Sequence, residues 1–186
     1  PVIPRNPGTM KGLYDVSEQR DRIWLFGIPI DRTTTDRALE TIIAMCRARR
    51  GETGPRLVTT VNVDFVVNAL RWYTATPKHP ELLRILRSAD LCTADGMPLL
   101  WAARLLKSRL PERVTGADLV PRLAAVAAKK HLSLYLFGGD PAAVKETSDR
   151  LTRLHPELSI AGTDTPFVAT QGDALTSADE EDLPLC

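Results

Sequence analysis

The feature that most constrains the fold is a regular alternation of short apolar runs with longer segments of helical periodicity. Runs typical of buried strands occur at residues 23–30, 56–61, 90–94, 132–137 and 158–162. Between them, apolar side chains recur every three or four residues, which predicts helices that connect the strands. Neighbouring parallel strands require such crossovers. The alternation therefore predicts an α/β fold, a Rossmann-like sandwich with a mainly parallel sheet of about five strands flanked by helices.

The same pattern predicts the domain organisation. We expect one folded domain over residues 21–167, because 186 residues suffice for one core and are few for two. Residues 1–20 contain Pro and Gly without periodicity, and we predict a flexible lead there. Residues 168–186 are acidic and poor in large apolar side chains, which predicts a disordered tail.

Composition excludes several classes of function. The net charge of +1 gives no bulk attraction to nucleic acid. No apolar run reaches the length of about 18 residues that a membrane-spanning helix needs, and the first residues lack the apolar stretch of a signal peptide. Three scattered cysteines suit a reducing compartment and offer no metal-binding spacing. We therefore predict a cytoplasmic protein.

Polar residues follow several of the predicted strands, at the position where ligands bind in open α/β sheets. Thr60 and Asn62 alternate with valines at the end of the second strand. Their short polar groups suit hydrogen bonds to a uracil or a ribose, and they equally suit the capping of the following helix. We interpret Asp64 as a helix cap rather than as a catalyst.

Asp95 lies after the third strand and directly before Gly96 and Pro98, where a helix is predicted to begin. Two interpretations compete: the carboxylate caps that helix, or it lies in a cleft as a general base. Arg113, in a loop farther along, favours the second, because a guanidinium holds a diphosphate by paired hydrogen bonds. A carboxylate base together with a phosphate-binding arginine is typical of transfer from a nucleotide-activated donor.

The stretch "FGGDP" at residues 137–141 also permits two interpretations. Gly138 and Gly139 allow the backbone to approach a phosphate at a helix start. Asp140 followed by Pro141 is also an ordinary cap and first helical residue, and from these residues alone the structural turn is favoured. The glycine fingerprint G-x-G-x-x-G is absent, which disfavours a nicotinamide-dependent enzyme.

Three stretches resemble, in order and spacing, the WecG/TagA/CpsF family of bacterial glycosyltransferases (glycosyltransferase family 26). They are "TVNVDFVVNA", "ADLCTADGMPLLWAARLL" with "LPERVTGADLVPRL", and "LYLFGGDPAAVKETSDRLTRLHPELSIAGT". The resemblance covers Ile23 to Phe167. It implies an inverting transferase that moves N-acetylmannosamine or a related hexose from a UDP-sugar to a polyprenyl-diphosphate-linked acceptor. Such transfer serves the synthesis of teichoic acid linkage units and cell-surface polysaccharides.

The resemblance also implies residue roles. Its general base falls on Asp95, and the arginine of its "PERV" motif, which is implicated in activity, falls on Arg113. We assign the nucleotide-sugar contacts to five strand-end and loop residues: Thr60, Asn62, Gly96, Gly138 and Gly139. We expect neither a cofactor nor a metal, since no D-x-D pair is present to hold a divalent cation. The charge of the leaving group would then be met by arginine and backbone donors.

The sequence departs from the family pattern after Phe167. Family members continue into a strand with a G-x-P-x-Q-E signature and then a basic, membrane-docking appendage, and neither occurs here. We therefore expect a C-terminally truncated form, with weakened peripheral contact at the inner face of the plasma membrane, to which Arg47, Arg49 and Arg50 would contribute. The alternative is a non-catalytic member that at most binds UDP or pairs with a full-length partner. Exposed sheet edges also suggest a homo-oligomer.

Overall fold

The computed structural model describes residues 21–48, 54–70, 77–166, 168–171 and 174–177. The described residues form two compact units, one ending at Val114 and the other beginning at Thr115. Each unit contains one parallel and one antiparallel pair of strands together with helices. The predicted α/β class is confirmed. The predicted flexible lead lies outside the described residues, and the prediction of a single domain stays a prediction.

The first unit starts with two strands and continues with helices and strands. Its elements are β1 (Arg22–Leu25), β2 (Ile28–Asp31), α1 (Thr35–Arg47), β3 (Val58–Val61), α2 (Val63–Ala69), α3 (Pro80–Ser88), β4 (Leu91–Ala94) and α4 (Met97–Leu105). The expectation of one strand over residues 23–30 is wrong, because β1 and β2 form an antiparallel hairpin. Phe26 and Gly27 turn the chain with φ angles of 53° and 77°, which suit a two-residue hairpin loop. Hydrophobic periodicity conceals this turn because Phe26 is itself apolar.

The parallel pair of the first unit consists of β3 and β4, with Val61 opposite Ala94. At the other edge of β4 the backbone groups bind isolated partners. The N–H of Cys92 donates to the Asp31 carboxylate at 2.7 Å, and the carbonyl of Ala94 accepts from the N–H of Val114 at 2.9 Å. A side chain and a loop residue thus occupy positions that a strand would fill. The described residues consequently form four two-stranded sheets, rather than the single sheet of about five strands that we predicted.

An ion pair fixes the hairpin against the start of β4. Arg22 Nε donates to Asp31 Oδ1 at 2.6 Å, and the guanidinium also reaches the carbonyl oxygens of Ala89 and Asp90 at 3.2 and 3.3 Å. Asp31 is only 7% exposed, and a carboxylate this deeply buried is tolerated because it is paired and hydrogen-bonded. Beneath it lies the core of the unit, whose large buried side chains include Ile23, Leu25, Ile28, Ile30, Val61, Leu83, Leu86 and Leu99.

The second unit repeats the combination of helices and parallel strands. Its elements are α5 (Gly116–Lys129), β5 (Ser133–Phe137), α6 (Pro141–Leu154), β6 (Ser159–Asp164), β7 (Val168–Gln171) and β8 (Ala174–Ser177). β5 and β6 pair in parallel. Small side chains on α5 allow close packing, and the buried cluster comprises Ala124, Ala127, Ala128, Leu151 and Leu158.

Part of the predicted tail is ordered as a hairpin. β7 and β8 pair antiparallel, with Gln171 opposite Ala174, which corrects the expectation of disorder for residues 168–171 and 174–177. The intervening sequence is Gly172–Asp173, a dipeptide typical of tight hairpins and a signal that acidity and low apolar content obscured. Residues 178–186 lie outside the described residues.

Candidate functional site

The candidate site lies at the carboxyl ends of β3 and β4 in the first unit. Thr60 and Thr93 are opposite each other in the parallel pair. The N–H of Asp95 donates to the carbonyl of Val61 at 2.7 Å, which continues the ladder one residue beyond β4. Side chains two residues apart along a strand share a face. The backbone therefore places Thr60 and Asn62 on the same face as Thr93 and Asp95.

Asn62 is the N-cap of α2. Its Oδ1 accepts a hydrogen bond from the N–H of Phe65 at 3.1 Å. This confirms the capping interpretation of Asn62 and corrects that of Asp64, which lies in the first turn of the helix rather than at the cap. The cap uses only the carbonyl oxygen of the amide, so the Nδ2 donors of Asn62 are not required for it. A nucleotide contact by Asn62 stays a prediction.

Asp95 is not the cap residue of the helix that follows it. The N-cap of α4 is Gly96, which has no side chain to cap with, and Pro98 stands in the first turn. Gly96 has a φ of 131°, a conformation that only glycine adopts without strain. The chain thus turns sharply between strand and helix, and Asp95 stays at the end of β4 with a half-buried side chain.

Arg113 lies in a loop that is anchored on both sides. After it, Val114 is bound to Ala94, and the carbonyl of Val114 also accepts a hydrogen bond from the buried hydroxyl of Thr93 at 3.0 Å. Before it, the carboxylate of Glu112 accepts a hydrogen bond from the N–H of Thr35, the first residue of α1. The side chain of Arg113 is exposed between these two anchors. Val114 and β3 bind opposite edges of β4, so Arg113 and Asn62 lie on either side of Asp95.

Glu112 and Thr93 are the supporting residues that sequence patterns did not reveal. Glu112 stands in the "PERV" motif, but its partner Thr35 is 77 positions away in the chain. In the sequence, nothing distinguishes Thr93 from an ordinary strand residue. Only tertiary structure brings these residues to their partners, and no local signal indicates either contact.

The loop Gly138–Gly139–Asp140 lies in the second unit. Both glycines have φ angles near +88°, and the loop lines a pocket of about 270 Å³ beside Phe137 and Thr147. Asp140 Oδ1 accepts hydrogen bonds from the N–H groups of Ala142 and Ala143 at 2.9 and 3.2 Å. The structural turn favoured from the sequence is therefore confirmed, and the aspartate occupies donors that a phosphate would otherwise bind. A nucleotide role for Gly138 and Gly139 stays a prediction.

The N-cap of α5 is Thr115, whose hydroxyl accepts from the N–H of Asp118 at 3.0 Å and donates to its carboxylate at 2.9 Å. A hydroxyl residue three positions before an acid is typical of a helix start.

The described residues contain neither a metal-binding cluster nor a membrane-spanning helix. No three His, Cys, Asp or Glu side chains in this part of the chain lie together in a way that could hold a metal ion. Likewise, none of the described helices is both long enough and apolar enough to cross a bilayer.

Comparison with known proteins places the chain among glycosyl transferases. A sequence model of the Glycosyl transferase WecG/TagA/CpsF family matches residues 23–182. An N-acetylglucosaminyldiphosphoundecaprenol N-acetyl-beta-D-mannosaminyltransferase of Bacillus subtilis (strain 168) is 26% identical over 106 residues, which is 57% of this chain and 39% of the relative. A protein of the same name from Bacillus spizizenii (strain ATCC 23059 / NRRL B-14472 / W23) is 29% identical over 94 residues, 50% of this chain and 37% of the relative.

The matched part of the chain spans less than two fifths of the length of either curated relative. The family match is broader, since it runs from β1 to beyond β8 and includes Asp95 and Arg113. On this evidence the chain belongs to the WecG/TagA/CpsF family of glycosyl transferases.

Proposed function

We propose that this chain carries the reaction centre of a transferase that moves N-acetylmannosamine, or a related hexose, from a UDP-sugar to a polyprenyl-diphosphate-linked acceptor. The names of the two relatives support the sugar and the lipid-linked diphosphate acceptor. UDP as the carrier, inversion at the anomeric carbon and independence of a metal are parts of the proposal. Synthesis of teichoic acid or another cell-surface polysaccharide is the setting in which such a product is used.

The observation that carries the proposal is the arrangement at the ends of β3 and β4. Thr60, Asn62 and Asp95 share one face, and Arg113 is held at the far side of β4 by the bond between Val114 and Ala94. The N-terminus of α4 begins at the same edge, and the positive end of a helix dipole favours an anion there. A carboxylate base and a cationic region for a diphosphate are the two components that a direct displacement needs.

In the proposed reaction, Asp95 accepts the proton of the acceptor hydroxyl as its oxygen attacks the anomeric carbon. The new glycosidic bond forms as the bond to the UDP oxygen breaks, and the configuration at that carbon inverts. Arg113 and backbone N–H groups near Gly96 meet the negative charge that develops on the departing diphosphate. Thr60 and Asn62 bind the uridine portion of the donor, and UDP leaves with both electrons of the broken bond. A nucleotide contact by Gly138 and Gly139 stays a prediction made from the sequence.

The proposal also locates the protein. A polyprenyl-diphosphate acceptor is anchored in a bilayer and a UDP-sugar is made in the cytoplasm, so a cytoplasmic protein in peripheral contact with the inner leaflet would meet both substrates. Association between copies of the chain remains part of the prediction made from the sequence.

The test is a transfer assay with UDP-N-acetylmannosamine and a polyprenyl-diphosphate N-acetylglucosamine, with the product's anomeric configuration read by NMR. We expect an inverted product whose rate is unchanged by a chelator. Asp95→Asn should lower turnover by about 10²–10⁴-fold, the usual contribution of a general base. Asp64→Asn, an exposed acid on the neighbouring α2, is the matched control and should retain wild-type turnover.

Three results would contradict the proposal. A retained anomeric configuration would exclude a single displacement. Loss of activity on chelation would exclude metal independence. UDP binding by calorimetry without any turnover, in a correctly folded wild-type chain, would favour a non-catalytic nucleotide-binding member instead.

A further inference from the structure

The outward side of α4 is apolar although it is exposed. The buried side of the helix holds Leu99 and Ala103, which are at most 2% exposed. One turn apart along the opposite side lie Met97, Trp101 and Leu105, of which Trp101 is 62% and Leu105 is 84% exposed. A helix that is apolar all round is usually buried or in contact with lipid. This stripe therefore requires a partner outside the unit.

Positive charge accompanies the stripe. Arg104, Lys107 and Arg109 are all exposed, and no acidic residue occurs between Met97 and Pro111. The surface formed by Met97, Trp101, Leu105 and Leu106 with these three cations is here called the α4 face. Aromatic and leucine side chains beside Lys and Arg are typical of helices that lie in a membrane interface with anionic lipids.

The turn after α4 holds one of these cations, Lys107, at a defined backbone position. Ser108 N–H donates to the carbonyl of Ala103 and Lys107 N–H to that of Arg104, the two bonds of a Schellman turn. Lys107 occupies the left-handed position of that turn with a φ of 56°, where glycine is the favoured residue. A lysine is thus present at a position where it costs stability and adds a cation to the α4 face.

We propose that the α4 face docks on an anionic lipid bilayer. With nine residues at about 1.5 Å each, α4 is far too short to cross a hydrocarbon core of about 30 Å, so it lies along the interface. The helix begins two residues after Asp95, and docking would bring the reaction centre to the depth of lipid headgroups. The inference deepens the proposed function, but lipid binding is measured without either substrate and can fail or succeed separately.

The experiment is co-sedimentation of the full chain with vesicles of phosphatidylcholine, with and without one third phosphatidylglycerol. We expect binding to the anionic vesicles only. The variant R104Q/K107Q/R109Q should bind about 10²-fold more weakly, because each cation near an anionic surface contributes about a factor of five. The matched control, K145Q/R150Q/R153Q on the exposed polar side of α6, removes the same net charge and should bind as the wild type does.

Two further variants separate docking from a folding defect. Lys107→Gly should raise Tm by about 2–4 °C, because it relieves the left-handed strain, and should nevertheless weaken vesicle binding. Trp101→Phe should preserve binding while reducing the fluorescence quenching that brominated acyl chains cause in the wild type.

Absence of binding to anionic vesicles by the folded wild type would overturn the proposal, and so would equal weakening by the two triple variants. If the chain instead forms a dimer that Leu105→Gln dissociates, and vesicles do not compete with it, the α4 face is an interface between copies and the proposal is wrong.

Discussion

The two units use an aspartate differently at the corresponding point of their parallel strand pairs. After β4 the sequence is Asp95–Gly96, and the helix is capped from Gly96. After β5 it is Gly139–Asp140, and the aspartate itself is the cap, bound to two N–H groups of α6. In both places an acid and a glycine lie between strand and helix and a proline stands in the first turn of the helix, but the order of acid and glycine is reversed.

The position of the aspartate relative to the helix start differs by one residue, and this difference determines what its carboxylate binds. In the second unit the carboxylate satisfies donors at the start of α6, which stabilises the helix. In the first unit a glycine with positive φ performs the turn, and the carboxylate remains at the end of the strand ladder, beside Asn62 and near Arg113. Short motifs that look equivalent therefore need the exact start of the helix before a chemical role can be assigned.

The largest expected effect is on stability, at the Arg22–Asp31 ion pair that fixes the hairpin against β4. Asp31→Ala should lower the free energy of unfolding by about 3–5 kcal/mol, because it leaves the largely buried Arg22 without its carboxylate partner. The N–H of Cys92 also loses its acceptor. Chemical denaturation measures the change, with the exposed Glu40→Ala on α1 as control. A loss no larger than that of the control would show that the ion pair does not organise this edge.

Arg113→Ala tests whether the arginine of the first unit binds the diphosphate of UDP. We expect UDP affinity to fall about 10- to 100-fold, because a charge-assisted hydrogen bond is lost, with little change in stability since the side chain is exposed. Calorimetry measures it, and Arg109→Ala is the control from the same loop region. Equal losses in both variants would indicate a general charge effect and no specific diphosphate contact.

Asn62 allows capping and ligand binding to be separated. Asn62→Ala should cost about 1 kcal/mol of stability through loss of the α2 cap. Asn62→Asp keeps a capping oxygen but removes the amide donors, so stability should be retained while UDP binding weakens. The two variants are compared by denaturation and calorimetry. Wild-type UDP affinity in Asn62→Asp would mean that Asn62 is a cap and nothing more.

The smallest effect is expected for Glu112→Gln. The neutral amide can still accept from the N–H of Thr35, but it loses the favourable charge at the start of α1, worth about 0.5 kcal/mol. Turnover should fall by less than in Arg113→Ala, and mainly through kcat, because Arg113 is still present but its loop is held less firmly. A change in UDP affinity as large as that of Arg113→Ala would mean that Glu112 contacts the donor region itself.

Local patterns predicted the elements well wherever the signals were local. The strands near residues 56–61, 90–94, 132–137 and 158–162 were all found from their apolar runs, and helices connect them as the periodicity predicted. The hairpin at Phe26–Gly27 was missed because its turn contains an apolar residue. The two strands therefore look like one apolar run of ordinary strand length. The tail hairpin was missed because overall acidity outweighed one dipeptide.

The site was predictable as a set of residues but not as an arrangement. Strand ends indicated Thr60, Asn62 and Asp95, since ligands in open α/β sheets bind there. The anchoring of Arg113 depends on Val114 binding Ala94, and that of Cys92 on Asp31, 61 positions away. Contacts between residues so distant in the chain leave no periodic trace, so the joining of strands into sheets could not be derived from the pattern.

The most direct measurement compares Asp95→Asn with Asp140→Asn in the same transfer assay. Both substitutions remove one charge and keep the shape of the side chain, at the start of two helices that each follow a parallel strand. We predict that Asp95→Asn lowers turnover by about 10²–10⁴-fold, while Asp140→Asn, which retains a good capping residue, leaves turnover unchanged. Equal turnover in the two variants, whether both are fast or both are slow, would contradict this prediction.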